Sequence, residues 1–156
     1  MLTAGIIELV ADAVVFLGAD GVDADTAFKA LGGGLAGSAV LERRAPDMQT
    51  RQFRLGFKGS LHHKDLGMIM AAARDAGVIV LLGAVVTQLM ASLVTQGHGD
   101  LDNTALLKLI EELSGKAGEH AGAACPDPGR RSRQRSWVCG PDVQPLSCIR
   151  SVFRFG

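Results

Sequence analysis

An apolar segment at the start of the chain constrains the fold more than any other feature. Residues 2–18 read LTAGIIELVADAVVFLG, and the charged residues among them are Glu8 and Asp12 alone. These two lie four positions apart and share one side of a helix, while the remaining faces are apolar. A helix of this kind must be covered on nearly all sides, so the segment predicts a first helix packed among several others.

The next segments also have helical patterns. Asp23 is predicted to cap a short helix that runs to Leu31, and residues 39–44 resemble a helical turn that stops before Pro46. Residues 51–60 are irregular, and Ser60 or a neighbour opens a longer helix. The apolar residues of that helix form one stripe: Leu61, Leu66, Ile69, Met70 and Ala73.

Two further helices complete the pattern. Val78–Val94 is uncharged and nearly long enough to cross a bilayer, but polar residues interrupt it, and a central core helix is the favoured interpretation. Asp102 caps a last amphipathic helix. Tyrosine is absent and aromatic residues make up 4% of the chain, which favours close helix packing over a β-sandwich. We therefore expect an all-α helical bundle over residues 1–116.

A glycine cluster follows the second predicted helix. Gly32, Gly34 and Gly37 match the spacing of a dinucleotide-binding loop, which requires a preceding strand and a following helix. Here a helix precedes the glycines, and no acidic residue lies about twenty positions downstream to bind a ribose. The cluster is therefore predicted to end a helix in a tight loop, and no Rossmann domain is expected in this chain.

Residues 117–156 differ from the rest of the chain. They contain all three cysteines, the single tryptophan and four of the five prolines, without helical or strand periodicity. We expect a disordered or non-native tail, although its arginine cluster, GRRSRQRSW, would also suit an adaptor for anionic partners.

Charge and potential metal ligands narrow the functional classes. The 16 basic and 16 acidic residues cancel, so neither nucleic acid nor a membrane is expected as a partner. His62 and His63 point about 100° apart on a helix, and the cysteines form no C-x-x-C pair, so no metal site is expected. The start of the chain lacks the pattern of a signal peptide, and we expect a cytoplasmic location.

Three stretches together resemble a known domain: GGLAGSAVLERRAPDM, FRLGFKGSLHHKDLGMIM and GHGDLDNTALLKLIEEL. They are similar to the C-terminal helical domain of the β-hydroxyacid dehydrogenases, which include 6-phosphogluconate and 3-hydroxyisobutyrate dehydrogenases. Within the family, these stretches most resemble the tartronate semialdehyde reductase branch (2-hydroxy-3-oxopropionate reductases). The likeness extends from Met1 to about Lys116.

The resemblance implies an NAD- or NADP-dependent reductase of a small 3-oxo acid. It assigns Lys64 to the cofactor, and Gly34, Ser38, Phe57 and Asp65 to the substrate cleft. It also places the family's catalytic lysine and Rossmann domain before Met1, so the chain is expected to be truncated, inactive alone and unable to hold the cofactor tightly.

Departures from the family pattern bear mainly on the substrate. Leu55 replaces a proline of the usual F-x-P-G-F motif, and Ser60 stands where an aspartate is common in the branch. The second hypothesis is a stand-alone helical dimerisation module without catalysis. In either case we expect a homodimer or higher oligomer, and a separate Rossmann domain is a further candidate partner.

Overall fold

The computed structural model describes residues 1–117, and within them every regular element is helical. In chain order the α-helices are α1 (Leu2–Ala19), α2 (Ala24–Gly32), α3 (Ala39–Gln49), α4 (Gly59–Asp75), α5 (Leu81–Leu93) and α6 (Leu106–Leu113). A π-helical turn, Val94–His98, follows α5, and a 3₁₀ turn, Asn103–Ala105, precedes α6. The expected all-α fold is confirmed. The predicted tail lies outside the described residues, apart from Ala117.

Helix α1 lies at the centre of the packing. It contacts α6 and α3 most extensively, and it also contacts α5 and α2. Its inner face buries Ala4, Ile7, Val10, Ala11 and Val14. Another face of the same helix is exposed within residues 1–117, so coverage of α1 on nearly all sides stays a prediction. By length and composition α1 could also cross a membrane, a test that core helices of soluble proteins pass as well.

Helix α3 ends later than the sequence predicts. The predicted stop before Pro46 is wrong, because α3 continues through Pro46 to Gln49. Leu41, Ala45 and Met48 lie on its inner face, and extending the helix buries Met48 completely. Pro46 itself is exposed, so the ring lies on the solvent side, where water can bond the carbonyl that loses its helical donor.

A buried ion pair joins the end of α3 to α6. Arg51, which follows α3, adopts a left-handed backbone with φ of 53°. Its guanidinium makes a two-point contact with the buried carboxylate of Glu111 on α6. Both oxygens of Glu111 are thereby satisfied, which fixes the direction of the chain between α3 and α4.

Helices α4 and α5 pack together but remain more exposed than expected. Of the five residues in the predicted α4 stripe, Leu66 is buried and Leu61 is exposed. Helix α5 buries Val86, Met90 and Leu93 but exposes Leu81 and Leu82 at its start. The helix begins at Leu81, so the predicted start at Val78 is wrong, and the prediction of a core helix holds for one face alone.

Candidate functional site

A cleft of about 320 Å³ opens beside the amino end of α1. Helices α1, α3 and α4, the segment before α4 and the 3₁₀ turn all contribute to its walls. The lining residues are Met1, Thr3, Arg44, Phe57, His62, Asp65, Leu66, Ile69 and Asn103. The cleft thus combines apolar walls with cationic, anionic and neutral polar groups, as small-molecule sites do.

Asp102 makes the hydrogen bonds that hold the segment before α4 next to the 3₁₀ turn. Its side chain is completely buried, and Oδ2 accepts hydrogen bonds from the backbone N–H groups of Gly56 and Phe57, both at 2.8 Å. Oδ1 accepts from the Thr104 N–H and hydroxyl at 3.0 and 2.8 Å. Burial opposes ionisation, but these donors outweigh it and hold the pKa of Asp102 below its usual value. A residue predicted as a simple helix cap therefore also positions the segment that carries Phe57.

A polar pair lies on the same side of the cleft. The Asn103 Nδ2 group donates to Nδ1 of His62 at 3.0 Å. Burial, the largest cause, lowers the pKa of His62, so the ring is neutral near pH 7 and carries its proton on Nε2. The Oδ1 atom of Asn103 is buried without a hydrogen-bond partner among the described residues. The fold therefore leaves one buried acceptor next to the cleft without a hydrogen bond from residues 1–117.

Two of the residues assigned to the substrate cleft by resemblance lie together here. Phe57 meets the His62 ring edge to face, with ring centroids 5.6 Å apart, and Asp65 follows one helical turn later on α4. Lys64, the residue assigned to the cofactor, is not among the lining residues. Its side chain is 64% exposed, and its ammonium lies 3.5 Å from the Asp65 carboxylate.

The glycine loop does not contribute to the lining of this cleft. Gly34 is exposed, and Ser38 caps α3 by accepting a hydrogen bond from the Leu41 N–H at 3.1 Å. The loop folds tightly on itself, because a Cβ atom at Gly37 would lie 2.3 Å from the carbonyl oxygen of Gly32. The loop follows α2 directly, as predicted, and a cleft role for Gly34 and Ser38 stays a prediction.

Metal ligation was not expected from the sequence. Within residues 1–117, no group of three His, Cys, Asp or Glu side chains is placed to hold a metal ion. His62 instead faces Phe57 and Asn103.

Comparison with known proteins places this architecture in a family. Residues 1–110 match the family model described as NAD-binding of NADP-dependent 3-hydroxyisobutyrate dehydrogenase. The chain belongs to the 3-hydroxyisobutyrate dehydrogenase family. The resemblance found in the glycine loop and the Lys64-Asp65 motif is thereby confirmed, and the family is one of NAD(P)-dependent hydroxyacid dehydrogenases.

Two curated relatives cover similar parts of the chain. The 2-hydroxy-3-oxopropionate reductase of Escherichia coli is 33% identical over 108 residues, covering 69% of this chain and 37% of that protein. The L-threonate dehydrogenase of Cupriavidus necator is 30% identical over 119 residues, covering 74% of this chain and 40% of the relative. The chain thus spans about two fifths of the length of these family members.

Solved structures of the family have the same helical fold. The 3-hydroxyisobutyrate dehydrogenase of Mycobacterium tuberculosis, solved with L-serine, aligns with a TM-score of 0.65 and 25% identity, over 70% of this chain and 40% of that one. A Salmonella typhimurium 3-hydroxyisobutyrate dehydrogenase aligns with a TM-score of 0.66 at 19% identity, over 69% of this chain and 38% of the other, and supports the fold alone.

Sequence reasoning did not find Arg44, His62 and Asn103 as members of one site. Arg44 precedes Asn103 by more than half of the described chain, and although each lies in a stretch that resembles the family, the resemblance assigned neither residue to the site. The burial of His62 could have been predicted from the sequence. His62 lies one helical turn before Leu66, which belongs to the predicted apolar stripe.

Proposed function

We propose that residues 1–116 form the helical, substrate-side domain of an NAD(P)-dependent oxidoreductase that reduces a small 3-oxo acid of the tartronate semialdehyde type. The observation that carries the proposal is the cleft in which Phe57 and Asp65 meet the start of α1. The family resemblance expects the catalytic lysine next to that same end of α1. Residues from α4 and from the start of α1 would then form two walls of one reaction site.

The residues of this chain suit a partial contact with the cofactor. Lys64 is exposed on the first turns of α4, next to Asp65, and a mobile cation there can hydrogen-bond oxygen atoms of a nicotinamide nucleotide. The glycine loop does not provide a pyrophosphate site, because a helix precedes it in place of a strand. Lys64 alone would hold the cofactor weakly, which agrees with the expectation that this chain does not bind it tightly.

The side chains of the cleft would serve orientation and exclusion of water. Hydride for the aldehyde carbon comes from the reduced nicotinamide when it is bound. Phe57, Leu66 and Ile69 supply apolar walls that keep water from the reacting carbon. Asp65 can accept a hydrogen bond from a substrate hydroxyl and so fix which carbon faces the cofactor.

A ligand-binding experiment on the 156-residue chain tests this proposal. Reduction of tartronate semialdehyde at its aldehyde carbon gives glycerate, which serves as a stable probe. Titration with glycerate should shift the amide NMR signals of Phe57 and Asp65 in a saturable way, and Phe57→Ala should weaken binding. Amide signals of residues 24–30 on α2, none of which lines the cleft, serve as the internal reference. Absence of saturable shifts in the wild-type chain would contradict the proposal.

A second function is favoured by a separate observation. Leu2, Leu9 and Phe16 form an exposed apolar stripe on α1, spaced seven residues apart. Beside it runs an apolar groove of about 490 Å³ between α1 and the start of α5. Such a surface suits a helical module that pairs with a second copy of the chain, with or without catalysis.

A further inference from the structure

Arg44 has no assigned role, yet its guanidinium lies at the polar end of the cleft. The residue is on α3, its side chain is 25% exposed, and Nη1 is 3.6 Å from Oδ2 of Asp102. The Nη1/Nη2 edge of the guanidinium lies against Gly56, where an added Cβ would be 2.9 Å from Nη1 and 3.0 Å from Nη2. The absence of a side chain at Gly56 therefore lets Arg44 reach this position.

The charge of Arg44 is balanced, but its hydrogen-bonding capacity is not used. The two Asp102 oxygens already accept four hydrogen bonds from Gly56, Phe57 and Thr104. At 3.6 Å the Arg44 contact is an ion pair that is too long for a hydrogen bond. Within residues 1–117 the guanidinium donates no hydrogen bond to a protein acceptor. Because Arg44 lines the cleft and its side chain is 25% exposed, N–H donors of the guanidinium remain available to a ligand.

The other polar groups of the cleft indicate what would complete it. Asp65 is a hydrogen-bond acceptor on the α4 side of the cleft, opposite in charge to Arg44. A ligand that suits both kinds of group has a carboxylate at one end and hydroxyl groups at the other.

We infer that Arg44 is the specificity-determining residue of this cleft, and that it binds the carboxylate of a small hydroxy or oxo acid. The inference rests on the proposed function and adds which residue selects the acid. Arginine suits this role because its guanidinium matches a carboxylate with two parallel hydrogen bonds. Asp102 holds the guanidinium in place, and its own saturated oxygens do not compete for the donors.

Comparing an acid with its amide isolates this role. Glycerate and glyceramide have nearly the same shape and differ in the charge that Arg44 recognises. Dissociation constants for both are measured by NMR titration of the 156-residue chain, using wild type, Arg44→Met and Arg54→Met. Arg54 is an exposed arginine in the segment before α4 and serves as the matched control. Wild type and Arg54→Met should bind glycerate about tenfold more tightly than glyceramide.

In Arg44→Met the ratio of the two dissociation constants should fall to about one. A purely structural role would weaken both ligands equally and keep the ratio, which would overturn the inference. Equal binding of acid and amide by the wild-type chain would overturn it without any variant. If wild type shows no saturable binding of glycerate, the proposed function and the inference are both contradicted. If glycerate binds without a preference over glyceramide, the inference alone is contradicted.

Discussion

Glu8 is a carboxylic acid buried in the apolar core. It lies on α1 among core residues, and its Oε2 atom has no hydrogen-bond partner within the described chain. Burial, with a smaller contribution from the Asp12 carboxylate one turn later, raises the pKa of Glu8 from 4.5 to about 7. The folded protein therefore keeps this carboxyl protonated at a pH where the unfolded chain has lost the proton.

The raised pKa predicts that stability falls as pH rises. Between about pH 4.5 and 7 the folded state binds one proton more than the unfolded state at Glu8, so the free energy of unfolding decreases, by up to about 3 kcal/mol. Glu8→Gln removes the ionisable group at nearly constant shape. Urea unfolding should show that this variant is more stable than wild type at pH 8 and similar to it at pH 4. Glu42→Gln, at an exposed site, is the control, and a wild-type pH dependence retained in Glu8→Gln would contradict the account.

Individual site residues were predictable where a local motif contains them. Asp65 and Phe57 belong to one short stretch whose resemblance to the family is specific, and the structure brings them to one cleft. Arg44 and Asn103 also lie in stretches that resemble the family, but the resemblance assigned them no role, and their proximity depends on how α3 packs beside the 3₁₀ turn. The spacing of these residues along the sequence does not predict that tertiary contact.

At the scale of elements, helix starts were predicted better than the exposure of helix faces. Asp23 caps α2 by accepting from the Thr26 N–H at 2.9 Å, as its sequence position indicates. Such caps are local and follow from residue type. The end of α3 was missed, since burial of Met48 and Ala45 offsets the cost of Pro46, and only packing decides that balance.

The apolar faces left uncovered on α1 and α5 predict self-association. Leu9 is 64% exposed and Phe16 is 71% exposed, although both belong to the helix at the centre of the fold. Burying these side chains against a second copy would remove a large apolar area from water. Sedimentation equilibrium at micromolar concentration should show dimers or larger oligomers for wild type and a shift toward monomer for Leu9→Lys.

The matched control for this experiment is Leu35→Lys. Leu35 is fully exposed in the glycine loop, away from the α1–α5 groove, so its replacement should leave association unchanged. A wild-type chain that stays monomeric and soluble would contradict the prediction. Equal dissociation by both variants would show that the α1 stripe is not the contact.

At the scale of the whole molecule, the proposed function assigns residues 1–116 to one wall of a substrate site. The described residues provide the cleft, the exposed Lys64 and a helical scaffold that matches the family. The resemblance assigns the proton-donating lysine and the pyrophosphate loop to the part of the family fold that precedes the matched region. The isolated 156-residue chain is therefore expected to have no reductase activity.

A chimera tests the central claim most directly. The part of the Escherichia coli 2-hydroxy-3-oxopropionate reductase that precedes the region matched here is joined to residue 1 of this chain, and oxidation of NADH and NADPH is followed with tartronate semialdehyde. The account predicts turnover by the chimera, none by the isolated chain, and a loss of about tenfold or more in kcat/KM for Phe57→Ala in the chimera. A folded chimera without turnover, or turnover by the isolated chain, would contradict it.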